Sequence, residues 1–173
     1  MNILALISSA IWIYAPAMVA NMAPVFAAKW NMFPWLNKPL DFGLMLYNIR
    51  VLGSHKTFRG LVVACIAGAI TGCAQALIIH QNILFGLSVG FIFGFGAMFG
   101  DAIKSFCKRR LRIASGSSWI PFDQIDFVIG ATLFGIFFIQ ISFPVFITAI
   151  FFISIASYVV SFVGVALHFK KSL

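Results

Sequence analysis

GDAIKSFCKRRLRIASGSSWIPFDQID, residues 100–126, gathers three of the chain's four acidic residues beside its densest basic run. On either side lie runs with no Asp, Glu, Lys or Arg, 60–100 and 127–169, and a third such run covers 1–28. A helix crosses a hydrocarbon core of about 30 Å with about 20 apolar residues, so each of the two longer runs must fold back once. Polar breaks mark where: His80-Gln81-Asn82 in the first, and Gln140-Ile141-Ser142-Phe143-Pro144 in the second, where proline suits the opening turn of a new helix. Five spans are therefore predicted, at about 3–24, 60–79, 83–99, 125–141 and 144–167.

Composition agrees with that reading. Of the 173 residues 62% are hydrophobic and 9% are charged, far below the roughly 25% charged content of soluble domains. The runs are apolar at nearly every position, whereas the strands of a membrane barrel alternate polar with apolar residues. The expected fold is an all-α integral membrane protein, a bundle of five transmembrane helices. With five spans, segments 25–59, 100–124 and 168–173 share one side, and all 12 Lys and Arg residues fall in them. Short basic loops stay cytoplasmic, which predicts an outward N-terminus and a cytoplasmic C-terminus bearing Lys170 and Lys171. A cleaved signal peptide normally begins with a basic n-region; residues 1–20 carry none and are read as a span.

Several features call for no chemistry. Cys65, Cys73 and Cys107 lack metal-ligand spacing and read as small apolar fillers. His55, His80 and His168 do not pair at ligand spacing either. Gly86, Gly90 and Gly94, with Gly96 and Gly100, and Gly68 with Gly72, recur every four residues, as small residues do where helices pack closely in lipid. Those rows can be spent inside the bundle or between subunits, which leaves a homodimer open.

The opening stretch holds the candidate chemistry. Continued as a helix beyond the third span, it places Asp101, Lys104, Ser105, Lys108, Arg109 and Arg112 within an arc of about 140° and a length of about 16 Å. Ile103, Phe106, Cys107 and Leu111 point the other way, and Arg110 is the one cation off the polar face. Gly116-Ser117-Ser118 reads as a turn, and Pro121 opens the fourth span. Asp123 and Asp126 then share a face at i, i+3, Asp126 a turn deeper toward the bilayer, where a carboxylate is costly unless paired or metal-bound. A purely structural reading stays open for two of the acids: Asp101 can pair with Lys104 or Ser105, and Asp123 suits the helix macrodipole. Basic residues at a membrane surface also attract anionic headgroups without any chemistry.

Three aspartates bordering a cationic face suggest a Mg²⁺–polyphosphate site. Mg²⁺ takes one or two carboxylates plus phosphate oxygens and water, while Lys and Arg neutralise the remaining phosphate charge. The loop 25–59 adds PLDFG (39–43), carrying Asp41, and RVLGSHKTFRG (50–60), whose Gly, hydroxyl and cationic residues can wrap phosphates without P-loop spacing.

The set NMAP (21–24), PLDFG, RVLGSHKTFRG, GDAIKSFCKRR and WIPFDQID resembles the CDP-archaeol synthase family, membrane cytidylyltransferases of archaea with bacterial relatives. More distantly, Ser105, Lys108 and Arg109 resemble the Ser-x-x-Lys-Arg element of CDP-diacylglycerol synthases, and Asp123 and Asp126 their closing signature; the His-Gly-Gly segment of those enzymes is missing. The resemblance implies one membrane-embedded cytidylyltransferase domain over 1–173, with cytoplasmic loops at about 25–59 and 100–124. It would join CTP to a lipid phosphate, either 2,3-di-O-geranylgeranylglyceryl phosphate or phosphatidic acid, giving CDP-lipid and pyrophosphate. It further implies Lys104, Ser105, Lys108 and Arg109 as catalytic, Asn21, Asp41, Lys56, Thr57 and Arg59 as nucleotide- or lipid-binding, and Asp101, Asp123 and Asp126 as Mg²⁺ ligands. The expected partners are those substrates and membrane lipids, and no nucleic acid. A CDP-alcohol phosphotransferase would need an Asp-Gly opening and further aspartates at four-residue spacing. A phosphate transporter or lipid-binding scaffold would need ionisable residues inside several spans, or broken helices near the midplane.

Overall fold

The computed structural model describes residues 2–114 and 117–166. Gly116 of the expected turn, His168, Lys170, Lys171 and the predicted end of the last span at 167 lie outside the described residues. Within them the chain is helical, with one small hairpin: α1 (Ile3–Lys29), β1 (Met45–Leu46), β2 (Ile49–Arg50), α2 (Phe58–Ile78), α3 (Ile83–Arg110), α4 (Phe122–Gly135), α5 (Phe143–Thr148), a π-helical segment (Ala149–Ile153) and α6 (Ser154–Ala166).

Among the described residues, four stretches are long and apolar enough to cross a membrane: α1, α2, α3 and Phe143–Val163, which joins α5 and α6 through the π segment. Their outer faces carry large apolar side chains, as a lipid-facing surface does, Leu84 at 73% and Ile70 at 64% exposed among them. This is a multi-pass membrane protein. The boundaries follow local chemistry: the Asn82 side chain accepts from Phe85 N–H to start α3, and Thr57 accepts from Gly60 N–H to start α2.

The predicted fourth span departs from 125–141 at both ends. Helix α4 begins three residues earlier, at Phe122, and stops at Gly135 after 14 residues, or about 21 Å of rise. At Gly135 a side chain would collide with the Phe93 ring, and glycine holds a helix about 1 kcal/mol less well than alanine. The chain loosens there into turns closed by Phe138 N–H and Ile139 N–H on Gly135 O. A further departure is at Arg112: α3 ends at Arg110 and Arg112 adopts φ +59°, so it leaves the helical face on which its spacing put it.

Packing of α3 between α2 and α4 positions everything polar. On one side Gly68 and Gly72 of α2 meet Gly86, Gly90 and Gly94 of α3 so closely that a Cβ on any of them would overlap facing backbone, as the four-residue spacing predicts. On the other, Gly96 and Gly100 meet Gly130, and an added Cβ at Gly100 would strike the backbone carbonyl of Asp126. That contact brings the start of α4 against α3 beside Asp101. The apolar core lies deeper, around Tyr14, Phe93, Phe127, Val128 and Ile153, with the Tyr14 hydroxyl hydrogen-bonded to Thr132 Oγ1.

Candidate active site

Carboxylates and lysines from three elements meet at the end of the bundle shared by the α1–α2 loop, the last turns of α3 and the first of α4. Lys104 stands at the centre. Its Nζ lies 3.0 Å from Asp101 Oδ1, 2.9 Å from Asp123 Oδ1 and 2.6 Å from Asp126 Oδ2. Lys56, from the loop, donates to the other oxygen of Asp101. Lys108 donates to both oxygens of Asp123, at 2.6 and 2.9 Å, and to Ser117 O at 2.8 Å. Three ammoniums thus balance three carboxylates.

These groups face inward. Ser105, Lys108, Arg109 and Asp126 are all buried, while Ile103 on the opposite face of α3 and Leu111 just past its end are exposed. The polar arc expected from spacing is real from Asp101 to Arg109, and α4 and the loop cover it. Burial of this many charges is costly unless they are paired, which explains the dense ion pairing. Asp123 also accepts from Trp119 N–H, and Asp126 Oδ1 accepts from Phe127 N–H at 2.7 Å. The second oxygen of Asp126 is buried and, although close to Lys104, finds no well-oriented hydrogen-bond donor.

The shared ammonium bears on whether a metal fits. Three carboxylates already converge on one cation, which is the donor chemistry a hard divalent ion takes. As placed, no three His, Cys, Asp or Glu among the described residues stand close enough to hold an ion together. The set fits a divalent cation by chemistry, once Lys104 yields its position.

Other expected site residues are placed nearby in supporting roles. Thr57 caps α2, and Arg59, buried, donates to Asn31 Oδ1 at 3.2 Å. Arg109 donates to Ala114 O at 3.0 Å, closing the turn after α3. Asn21 sits half-buried in α1. Asp41 stands apart from the lysine cluster: it accepts from Gly43 N–H (3.0 Å), Leu52 N–H (3.1 Å) and Arg50 (2.9 Å). Burial pushes the Asp41 carboxyl up, but the Leu52 and Gly43 amides and Arg50 outweigh it and hold it below the usual carboxylate range.

Sequence reasoning missed Arg110. From the far side of α3 it donates to the backbone carbonyls of Leu46 (2.9 Å), Ile49 (3.2 Å) and Arg50 (3.1 Å), clamping the hairpin and hence the loop that carries Lys56. The hairpin had one legible signal: Tyr47-Asn48, both at positive φ, form a two-residue turn in which Asn is favoured.

Fold and site together define a polytopic membrane protein with a buried carboxylate–lysine cluster at one end of its bundle. The comparisons narrow this. A family model described as CarS-like, CDP-archaeol synthase matches residues 3–172. The CDP-archaeol synthase of Methanopyrus kandleri is 38% identical over 71% of this chain and 66% of its own length. That of Methanocaldococcus jannaschii is 33% identical over 75% of this chain and 76% of its own. The chain spans under two thirds of some relatives, 59% for the synthase of Thermofilum pendens. A solved structure described as an intramembrane enzyme for archaeal membrane lipids biosynthesis is similar with a TM-score of 0.79 and 30% identity, over 90% of this chain and 94% of that one. This chain belongs to the CarS-like CDP-archaeol synthase family.

Proposed function

We propose that this chain transfers the cytidylyl group of CTP to a membrane lipid phosphate. An oxygen of the lipid phosphate attacks the α-phosphorus of CTP, the bond to the bridging oxygen of the β-phosphate breaks, and pyrophosphate leaves with that electron pair. The products are CDP-lipid and pyrophosphate. The observation that carries the reading is the convergence of three carboxylates and three lysines from the loop, α3 and α4 at one end of a membrane bundle. Family membership supports the ether lipid 2,3-di-O-geranylgeranylglyceryl phosphate over phosphatidic acid.

The chemistry asks little of side chains as nucleophiles, because a lipid phosphate is already ionised near pH 7. Alignment and charge neutralisation dominate phosphoryl transfer. Lys104, Lys108 and Arg109 would hold phosphate oxygens, and Ser105 would orient one. Lys56 and Arg59 would close over the nucleotide, with Thr57 fixing the start of α2 beneath them, and Asn21 would contact the lipid head or the bundle. Asp41 would act on the nucleotide through the loop it organises. Asp101, Asp123 and Asp126 would hold Mg²⁺, which supplies Lewis-acid polarisation and neutralises charge on the leaving pyrophosphate.

The whole chain 1–173 would act as one membrane-embedded domain of five spans, α4 with the turns after it making the fourth. The N-terminus would face outward, and the site would lie on the cytoplasmic face, where CTP is. A groove among the first four spans, open sideways, would let the lipid chains stay in the bilayer.

Isotope position tests the reaction. With purified protein, Mg²⁺ and the ether lipid phosphate, α-³²P from CTP should enter the organic phase while γ-³²P stays aqueous as pyrophosphate. Label from the γ position in lipid would instead indicate a kinase and overturn the reading, as would no lipid labelling from either.

A further inference from the structure

Lys104 fills the space between the three carboxylates that the proposed function gives to the metal. Its ammonium lies within 3.0 Å of one oxygen from each of Asp101, Asp123 and Asp126. The neighbouring lysines are less committed: Lys56 pairs with Asp101, and Lys108 with Asp123. Among the described residues, Asp126 has Lys104 as its one ion-pair partner, and its side chain is 5% exposed. As placed, the three carboxylates stand too far apart to hold an ion together, and a divalent ion drawing these oxygens in to about 2.0–2.1 Å would need the space the ammonium fills. Two cations cannot share that position.

Charge balance sharpens the point. Three carboxylates and the ammoniums of Lys56, Lys104 and Lys108 cancel, so bare Mg²⁺ would leave a buried excess of positive charge. A metal–triphosphate complex carries net negative charge and offers Lys104 new oxygens in exchange for the carboxylates it gives up. The four-carbon stem of lysine lets the ammonium move between the two stations without backbone motion.

We propose that Lys104 is the resident counter-ion of the metal site: it keeps free divalent metal out, and cedes the three carboxylates when metal and CTP enter together. The residue thereby sets the order of binding and selects a metal–nucleotide complex over either component alone. The inference rests on the assignment of Asp101, Asp123 and Asp126 to the metal.

Mn²⁺ binding to the full chain in detergent, read from the amplitude of the free-Mn²⁺ EPR signal with and without CTP and referenced to protein-free CTP, tests both layers. Wild type should bind Mn²⁺ weakly alone and more tightly with CTP. Lys104→Met should bind Mn²⁺ alone at least about tenfold more tightly than wild type, because a repelling charge a few ångströms away is gone. Its enhancement by CTP should shrink by a comparable factor. Should the methionine variant not fold around an uncompensated Asp126, Lys104→Gln keeps a donor and should show the same change in smaller degree. Thermal unfolding gives an independent readout: Mg²⁺ alone should raise the midpoint of the Lys104 variants and leave that of wild type nearly unmoved. Unchanged or weaker Mn²⁺ binding in the variants, with no thermal response, overturns the proposal. Asp126→Asn separates the two failures. If it abolishes Mn²⁺ binding in the presence of CTP while Lys104 variants match wild type, only the role of Lys104 falls; if Asp126→Asn binds like wild type, the metal assignment falls and takes this proposal with it.

Discussion

The four aspartates serve in two ways. Asp101, Asp123 and Asp126 surround Lys104, whereas Asp41 holds its own loop together through two backbone amides and Arg50. Because the Asp41 carboxyl is held below its unfolded value, its contribution to loop stability is complete above the ordinary carboxylate range and is lost as pH falls through the lowered folded value. Asp41→Asn should cost the loop about 1–3 kcal/mol near neutral pH, seen as faster amide exchange of Gly43 and Leu52, and should flatten the acid dependence of that exchange. Unaltered exchange would mean that the carboxylate is not what anchors the loop. Arg110 presents the complementary case. Arg110→Gln releases three carbonyls of the hairpin, so the KM for CTP should rise several-fold with a smaller change in kcat, the sign of a residue that positions Lys56 and does not touch the reaction. At this scale the i, i+3 and i, i+4 spacing made Asp101, Lys104, Ser105 and Lys108 legible, because a helix converts spacing directly into a face. The partners of Asp41 and Arg110 were not legible, since they depend on how the 28-residue connection between α1 and α2 folds back onto α3.

Among the elements, the contact of α3 with α4 sets the geometry of the cluster. Gly100 lies against the carbonyl of Asp126 and Gly130 against Gly96 and Gly100, so the two helices touch backbone to backbone one turn from the ion pairs. Gly130→Leu should drive them apart, separating Asp126 from Lys104. The expected result is a loss of one to several kcal/mol of stability together with a fall in CDP-lipid formation of more than tenfold. A folded Gly130→Leu protein with full turnover would show that this close approach does not govern the site. Helix existence was readable from charge-free runs and polar breaks, and the glycine rows announced close helix packing without saying which helices would meet. The early end of α4 was not readable, because it depends on Phe93, from a different helix, occupying the notch at Gly135. The same holds for the π-helical segment at Ala149–Ile153, where the apolar sequence AIFFI carries no polar punctuation.

For the molecule as a whole, the proposed function needs the topology that charge placement predicts, with the cluster on the face where a soluble nucleotide would meet a lipid. In a cysteine-free background, Asn2→Cys should react with an impermeant maleimide from outside intact cells, and Ser54→Cys only after permeabilisation. The opposite pattern would invert the bundle and put the cluster on the wrong side for CTP. The measurement that bears most directly on the central claim is Mg²⁺-dependent transfer of α-³²P from CTP to the geranylgeranyl ether lipid phosphate, in wild type and in Asp126→Asn. The account predicts transfer by wild type that is lost with chelation, and in the variant a drop beyond the roughly 10- to 100-fold expected for an outer-shell partner, at unchanged yield of folded protein. Undiminished, Mg²⁺-dependent transfer by Asp126→Asn would contradict it.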